Sequence, residues 1–299
     1  MKKLLLITIL ICTSLMCSCQ TEDVFEEIQI TQGNIQESDK IGLKIEKYMD
    51  QNSLGVSVQG ADCYNNYLFQ FQHANASVFV YDLKEQEFIC NIKLNAKAQN
   101  HCNNVSFSRL FYSEEDEFPL LYVSGSQNGK YNNIQVYRIK KDNSYFFFEQ
   151  IQEIIFPEAN SENNLYWTDV MIDPNNQYLF VSSATNDGNG KITIFEIPNP
   201  YKEQVTLLNE DIKRSFIVGK FTHHQGANIK DNLLYIFDGV PAWGDINYLR
   251  IIDLEKEKDI CKINITKKGF TYEAEGAFFY NEVLFCATNN SGIYKINMK

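Results

Sequence analysis

The chain has 299 residues, 44% of them hydrophobic, with 38 acidic against 27 basic side chains and a formal net charge of −11. That balance excludes a protein that grips nucleic acid by neutralising phosphates, and otherwise implies only an acidic, solvated surface. Eight cysteines without a Cys-x-x-Cys spacing exclude the common zinc modules.

The chain begins with Met1-Lys2-Lys3 and a short apolar run, Leu4 to Ile11. The run is too short to span a bilayer and has the form of a secretory signal. It ends in Met16-Cys17-Ser18-Cys19, a pattern resembling a bacterial lipobox with Cys19 as the lipid acceptor. An ordinary secretory signal with incidental cysteines is the alternative. The expected divisions are a signal peptide over 1–18, an acidic tether over 19–39 and one domain over 40–299. The expected location is the outer membrane of a Gram-negative cell, periplasmic or surface-exposed, with the lipid anchor as the one membrane contact. Without Lys2 and Lys3, 25 basic residues face 38 acidic ones, a net charge of −13.

Beyond the tether the sequence repeats itself. Gln59-Gly60-Ala61, Asn104-Val105-Ser106, Asp169-Val170-Met171, Gln225-Gly226-Ala227 and Glu275-Gly276-Ala277 each lead through a polar turn to a Leu-aromatic pair. Those pairs fall at Leu68, Leu121, Leu179, Leu234 and Leu284, 50 to 58 residues apart. Each copy continues into a second alternating apolar run, such as Val78-Phe79-Val80-Tyr81 or Ile192-Thr193-Ile194-Phe195. Period-two runs rich in β-branched and aromatic residues, recurring at a fixed interval, predict a β-propeller. The fold expected is all-β, with five blades of four antiparallel strands. Outermost strands are expected at Phe88–Leu94, Phe146–Ile151, Arg214–Lys220 and Ile260–Ile265. The fifth copy ends after three strands, so the segment Gly42–Tyr48 is expected to pair beside Ile293–Ile296 and close the ring. Of the mature cysteines Cys63, Cys90, Cys102, Cys261 and Cys286, Cys90 and Cys261 occupy matching places in two repeats and read as small buried strand residues, a disulfide between neighbours being the alternative.

In such blades the second-to-third loops share one face of the disc with the links between blades. Sorting the chain by that rule puts all four histidines and both tryptophans on one face. The candidate ligand-binding residues there are His101, Trp167, His223, His224 and Trp243, with His73 nearby. The opposite face receives Lys/Glu-rich turns. Aromatic and ionisable side chains gathered at one end of a rigid scaffold favour a binding face for a glycan, peptide or protein. A monomer is expected.

The polar residue opening each repeat, Gln59, Asn104, Asp169, Gln225 and Glu275, sits where inner strands line the propeller axis. Converging oxygens with two carboxylates suit a hard cation such as Ca²⁺, and Asp169 and Glu275 are also the candidate catalytic residues. The preferred reading of the ring is a polar, water-filled channel.

The Glu-Gly-Ala and Gln-Gly-Ala openings followed by a Leu-Tyr strand resemble those of bacterial propeller glutaminyl cyclases. The set Glu275-Gly276, Asn104 and Asp169 is similar to the metal ligands of gluconolactonase-like propeller hydrolases. These resemblances imply a hydrolase, lyase or cyclase acting through the axial ring, Ca²⁺-dependent in the second case. No Gly-x-Ser-x-Gly elbow, phosphate loop or chelating His pair at helical spacing is present. The leading expectation is a lipid-anchored propeller that binds a ligand on its His/Trp face, and the alternative is an enzyme at the axis.

Overall fold

The computed structural model describes residues 41–52, 54–73, 77–94, 101–126, 132–143, 145–156, 166–173, 178–185 and 187–298. The lipobox with Cys19 and the tether lie outside the described residues, as does the side chain of Trp167.

The chain is a five-bladed β-propeller. It opens with β1 (Leu43–Met49), which belongs to the last blade. Blade 1 is β2 (Val58–Tyr64), β3 (Tyr67–Gln72), β4 (Ser77–Asp82) and β5 (Glu87–Lys93). Blade 2 is β6 (Val105–Phe107), β7 (Leu121–Ser126), β8 (Asn132–Asp142) and β9 (Tyr145–Ile155). Blade 3 is β10 (Tyr166–Ile172), β11 (Tyr178–Ala184), β12 (Asn189–Glu196) and β14 (Arg214–Lys220), the link before β14 holding the short β13 (Gln204–Thr206). Blade 4 is β15 (His224–Lys230), β16 (Leu233–Asp238), β17 (Tyr248–Asp253) and β18 (Lys258–Asn264). Blade 5 is β19 (Ala274–Tyr280), β20 (Val283–Thr288) and β21 (Ile293–Met298), completed by β1.

The expected closure is present, with Leu43 opposite Met298, Ile45 opposite Ile296 and Met49 opposite Ile293. One expectation needs correction. Blade 2 has five strands, because β13 adds to the outer edge of β9 in parallel, Val205 opposite Ile154. The long β9 offers an edge that a four-stranded blade would leave bare, and the blade 3 link covers part of it.

Local chemistry explains the repeats. The turns Asp231-Asn232 and Asn281-Glu282 hold both residues at positive φ, the geometry of tight hairpins whose twist matches the flanking strands. The glycine of the opening triplet lets inner strands touch. A Cβ on Gly60 would lie 2.7 Å from the Asn104 Cα, and one on Gly226 would lie 2.5 Å from the Gly276 Cα. Each of the five seams between blades holds its own apolar cluster. At the first seam, Phe69 is fully buried and meets Phe107, Phe118, Phe146 and Phe148 edge-on at 5.6–5.8 Å. Burying one such ring contributes about 2–3 kcal/mol. The five described cysteines are free thiols.

Candidate functional site

The inner strands β2, β6, β10, β15 and β19 surround the axis, and buried polar side chains bridge it. Asn104 is fully buried and donates from Nδ2 to the carbonyls of Val170 and Ala227, both at 2.8 Å. Its Oδ1 accepts the Ala227 N–H at 3.2 Å. One amide therefore joins blades 2, 3 and 4. Deeper along the axis, Asp62 accepts from the Phe107 N–H at 2.7 Å, the Cys63 N–H at 2.8 Å and the Asn228 Nδ2 at 3.1 Å. Asn228 also donates to the Ala277 carbonyl at 3.0 Å. The expected water-filled channel is thus corrected at this level: in a ring of five blades the walls approach so closely that side chains span it.

Above these bridges, at the end where β10 and β15 begin, lies a second group. Register shifts interrupt the ladders of β2, β10, β15 and β19 beside their opening polar residues, between Val58 and Ala61, Tyr166 and Asp169, His224 and Ala227, and Ala274 and Gly276. Bulges of this kind re-aim a side chain relative to the pleat. They bring Asp169, His224 and Ser182 together. The Asp169 Oδ2 pairs with the His224 Nδ1, and the His224 Nε2 lies 2.9 Å from the Ser182 Oγ. With Nδ1–H given to Asp169, Nε2 is left to accept the Ser182 hydroxyl. The ring of His224 stands edge-on to Phe221 at 4.9 Å, and Phe221 lies beneath the Arg250 guanidinium at 4.5 Å.

On the other side of this end, Gln59 donates from Nε2 to the Glu275 Oε1 at 3.0 Å. Glu275 is 1% exposed. Burial first, and then the charges of Glu273 and Asp169, push its carboxyl well above the ordinary range, with the Gln59 hydrogen bond opposing. The protonated form of Glu275 is thereby favoured over the carboxylate. Burial also raises Asp169, but its pairing with His224 pulls the other way. The Asp169 Oδ1 is buried and has no hydrogen-bond partner. An acceptor left in that state costs about 1–3 kcal/mol, more for a charged group.

Of the five axial candidates, the structure brings Gln59, Asp169 and Glu275 to one end, with Gln225 half-buried beside His224 in β15. It assigns Asn104 to bridging. The cation cage implied by the gluconolactonase-like resemblance does not fit, because the Asn104 amide is directed at backbone groups and the Gln59 amide at Glu275. Among the described residues no group of three or more His, Cys, Asp or Glu side chains is placed to hold a metal.

Trp243 and His224 lie at the same end of the propeller: His224 starts β15, and Trp243 stands in the loop joining β16 to β17. Trp243 is 71% exposed and meets the His223 ring at 4.9 Å. The His223 Nδ1 is 2.6 Å from the Asp245 Oδ2, which also accepts the Val240 N–H at 2.9 Å. The loop is pinned and its indole faces solvent. His101 packs on His73 at another seam of the same end. The opposite end is not purely a surface of charged turns, since Phe111 and Tyr201 are exposed there. Sequence reasoning missed Ser182, Phe221 and Asp245. Only the pairing of Ser182 opposite Asp169 would have indicated the first.

No protein-family model matches this chain, and the search of curated proteins found no match. Among solved structures, the chain is similar to a glutaminyl cyclase from Myxococcus xanthus, with a TM-score of 0.52 and 12% identity over 87% of this chain and 97% of that one. It is also similar to hydrazine synthase of Kuenenia stuttgartiensis (TM-score 0.45, 13% identity, 86% and 76% covered) and to a nidogen/laminin complex (TM-score 0.38, 10% identity, 81% and 84% covered). At such identities the likeness to the cyclase establishes the shared propeller fold and no more.

Proposed function

We propose that this propeller is an acid–base enzyme of the cell envelope, acting at the end of the axis on a small substrate that carries an amine. One observation carries the reading: two buried carboxyl groups at one end of the axis have different partners, an amide for Glu275 and an imidazole for Asp169. Burial raises both carboxyls; at Glu275 neighbouring charges add to the rise, which suits it to give a proton, whereas at Asp169 the His224 pairing opposes it and one oxygen is left unpartnered as an acceptor. Groups whose surroundings push them toward different protonation states divide the roles of acid and base. The N–H of a free amine offers the donor that the Asp169 Oδ1 lacks.

The cyclase named above makes cyclisation of an amino-terminal glutamine the first reaction to test. The substrate amine forms a bond to the side-chain amide carbon and gives a proton to Asp169. Glu275 gives a proton to the departing nitrogen, which leaves as ammonia. Proton exchange between the two carboxyls restores the starting state. Ammonia release from an amino-terminal glutaminyl peptide is expected from the wild-type protein and is expected to fall about 100-fold or more in E275Q. Equal rates in wild type and E275Q would overturn the assignment.

The exposed indole of Trp243 favours a second reading, in which this face binds a glycan, peptide or protein without turnover. If ammonia is never released, retention of a ligand by wild type and not by W243A supports that reading. In either case the sequence supports anchoring through Cys19. Cys19→Ala is expected to move the protein from membrane to soluble fractions, and a variant that stays bound would exclude this anchor.

A further inference from the structure

Two histidines at the seam of blades 1 and 2 have no part in the site above. His73 follows β3 and His101 precedes β6, and their rings meet edge-on with centroids 4.5 Å apart. The backbone fixes the pair: the His101 N–H donates to the His73 carbonyl at 2.8 Å, and the His73 N–H to the Ser57 carbonyl at 3.0 Å. His101 holds φ at +62°, a left-handed conformation that a side chain other than glycine adopts at a cost. The His73 Nδ1 is buried and has no hydrogen-bond partner. A strained backbone that presents one imidazole to another, with a ring nitrogen unsatisfied, is an expensive way to fill space.

We propose that His73 and His101 form a two-imidazole site for a borderline divalent transition-metal ion such as Zn²⁺ or Cu²⁺, at the ligand-facing end of the blade 1–blade 2 seam. Imidazole nitrogens suit these ions, in contrast to Ca²⁺. With metal–nitrogen bonds near 2.0–2.1 Å, two imidazoles on one ion have their ring centres about 5 Å apart, a separation the pair reaches by a small rotation. With two protein ligands the ion keeps open positions for water or for a donor atom of a bound molecule.

The test is Cu²⁺ binding by the purified mature protein, followed by titration calorimetry and by electron paramagnetic resonance of the bound ion. H73F keeps the ring volume, and H101N keeps a residue that tolerates positive φ, so both are expected to fold. H223A serves as a control at another histidine of this face. The expected result is one ion per chain with imidazole nitrogen couplings, its affinity lowered about tenfold or more in H73F and in H101N and unchanged in H223A. No binding by the wild-type protein, or equal binding by H73F and H101N when their circular dichroism matches wild type, would overturn the proposal. Neither readout depends on turnover at Glu275.

Discussion

Two carboxylates on the same axis make the sharpest comparison in this molecule. Asp62, deep in the ring, accepts hydrogen bonds from Phe107, Cys63 and Asn228, and Asn104 nearby uses both its Nδ2 protons and its oxygen on the backbone. Asp169, at the end bearing His224, leaves one buried oxygen unpartnered and sits near Glu275, whose carboxyl burial pushes well above the ordinary range. Both regions are polar and buried, yet only one has hydrogen-bonding capacity to spare. Satisfied polar groups at the axis hold blades together, whereas unsatisfied ones mark where a ligand is expected.

The largest effect expected from breaking this comparison is at Asn104. Asn104→Ala leaves the Val170 carbonyl and both polar groups of Ala227 without partners, at a cost of about 4 kcal/mol in urea unfolding. A loss under about 1 kcal/mol would mean that the bridge across the axis is dispensable.

Asp62 sharpens the contrast through pH. Burial raises its carboxyl from 3.8 to about 7 in the folded protein. Between those values the folded state holds a proton that the unfolded state has released, so stability falls as pH rises through this window and levels off above it. The contribution is roughly 4 kcal/mol. D62N is expected to remove that part of the slope in thermal unfolding followed from pH 4 to 8; an unaltered slope would contradict the assignment.

The smallest effect belongs to Trp243, exposed on a loop that His223 and Asp245 pin independently. Trp243→Ala is expected to change stability by less than about 0.5 kcal/mol while weakening ligand binding. A cooperative loss of fold in W243A would place the indole among the packing residues instead.

Much of this was legible in the sequence. The polar-Gly-Ala openings, the Asn and Asp turns and the Leu-aromatic pairs encode local geometry, so blade number, strand direction and closure by β1 could be read from them. The common face of His224 and Trp243 follows from strand direction alone. Partners across the ring could not be read. Asn104 and Ala227 are separated by 123 residues, and their meeting depends on how closely five blades crowd the axis. For the same reason Asn104 resembled its neighbours in the repeat while serving a different purpose. Ser182 carries no motif, and β13 on the edge of β9 comes from a link with no repeat character.

The division between bridging and functional carboxyl groups is tested most directly by thermal unfolding of E275Q beside N104A at pH 7. Glutamine matches a neutral glutamic acid in shape and still accepts from the Gln59 Nε2, so E275Q is expected to unfold within about 1 kcal/mol of wild type, or to be more stable. N104A is expected to unfold far earlier. If E275Q loses as much stability as N104A, the end of the axis is another bridge and the assignment of Glu275 to chemistry is wrong.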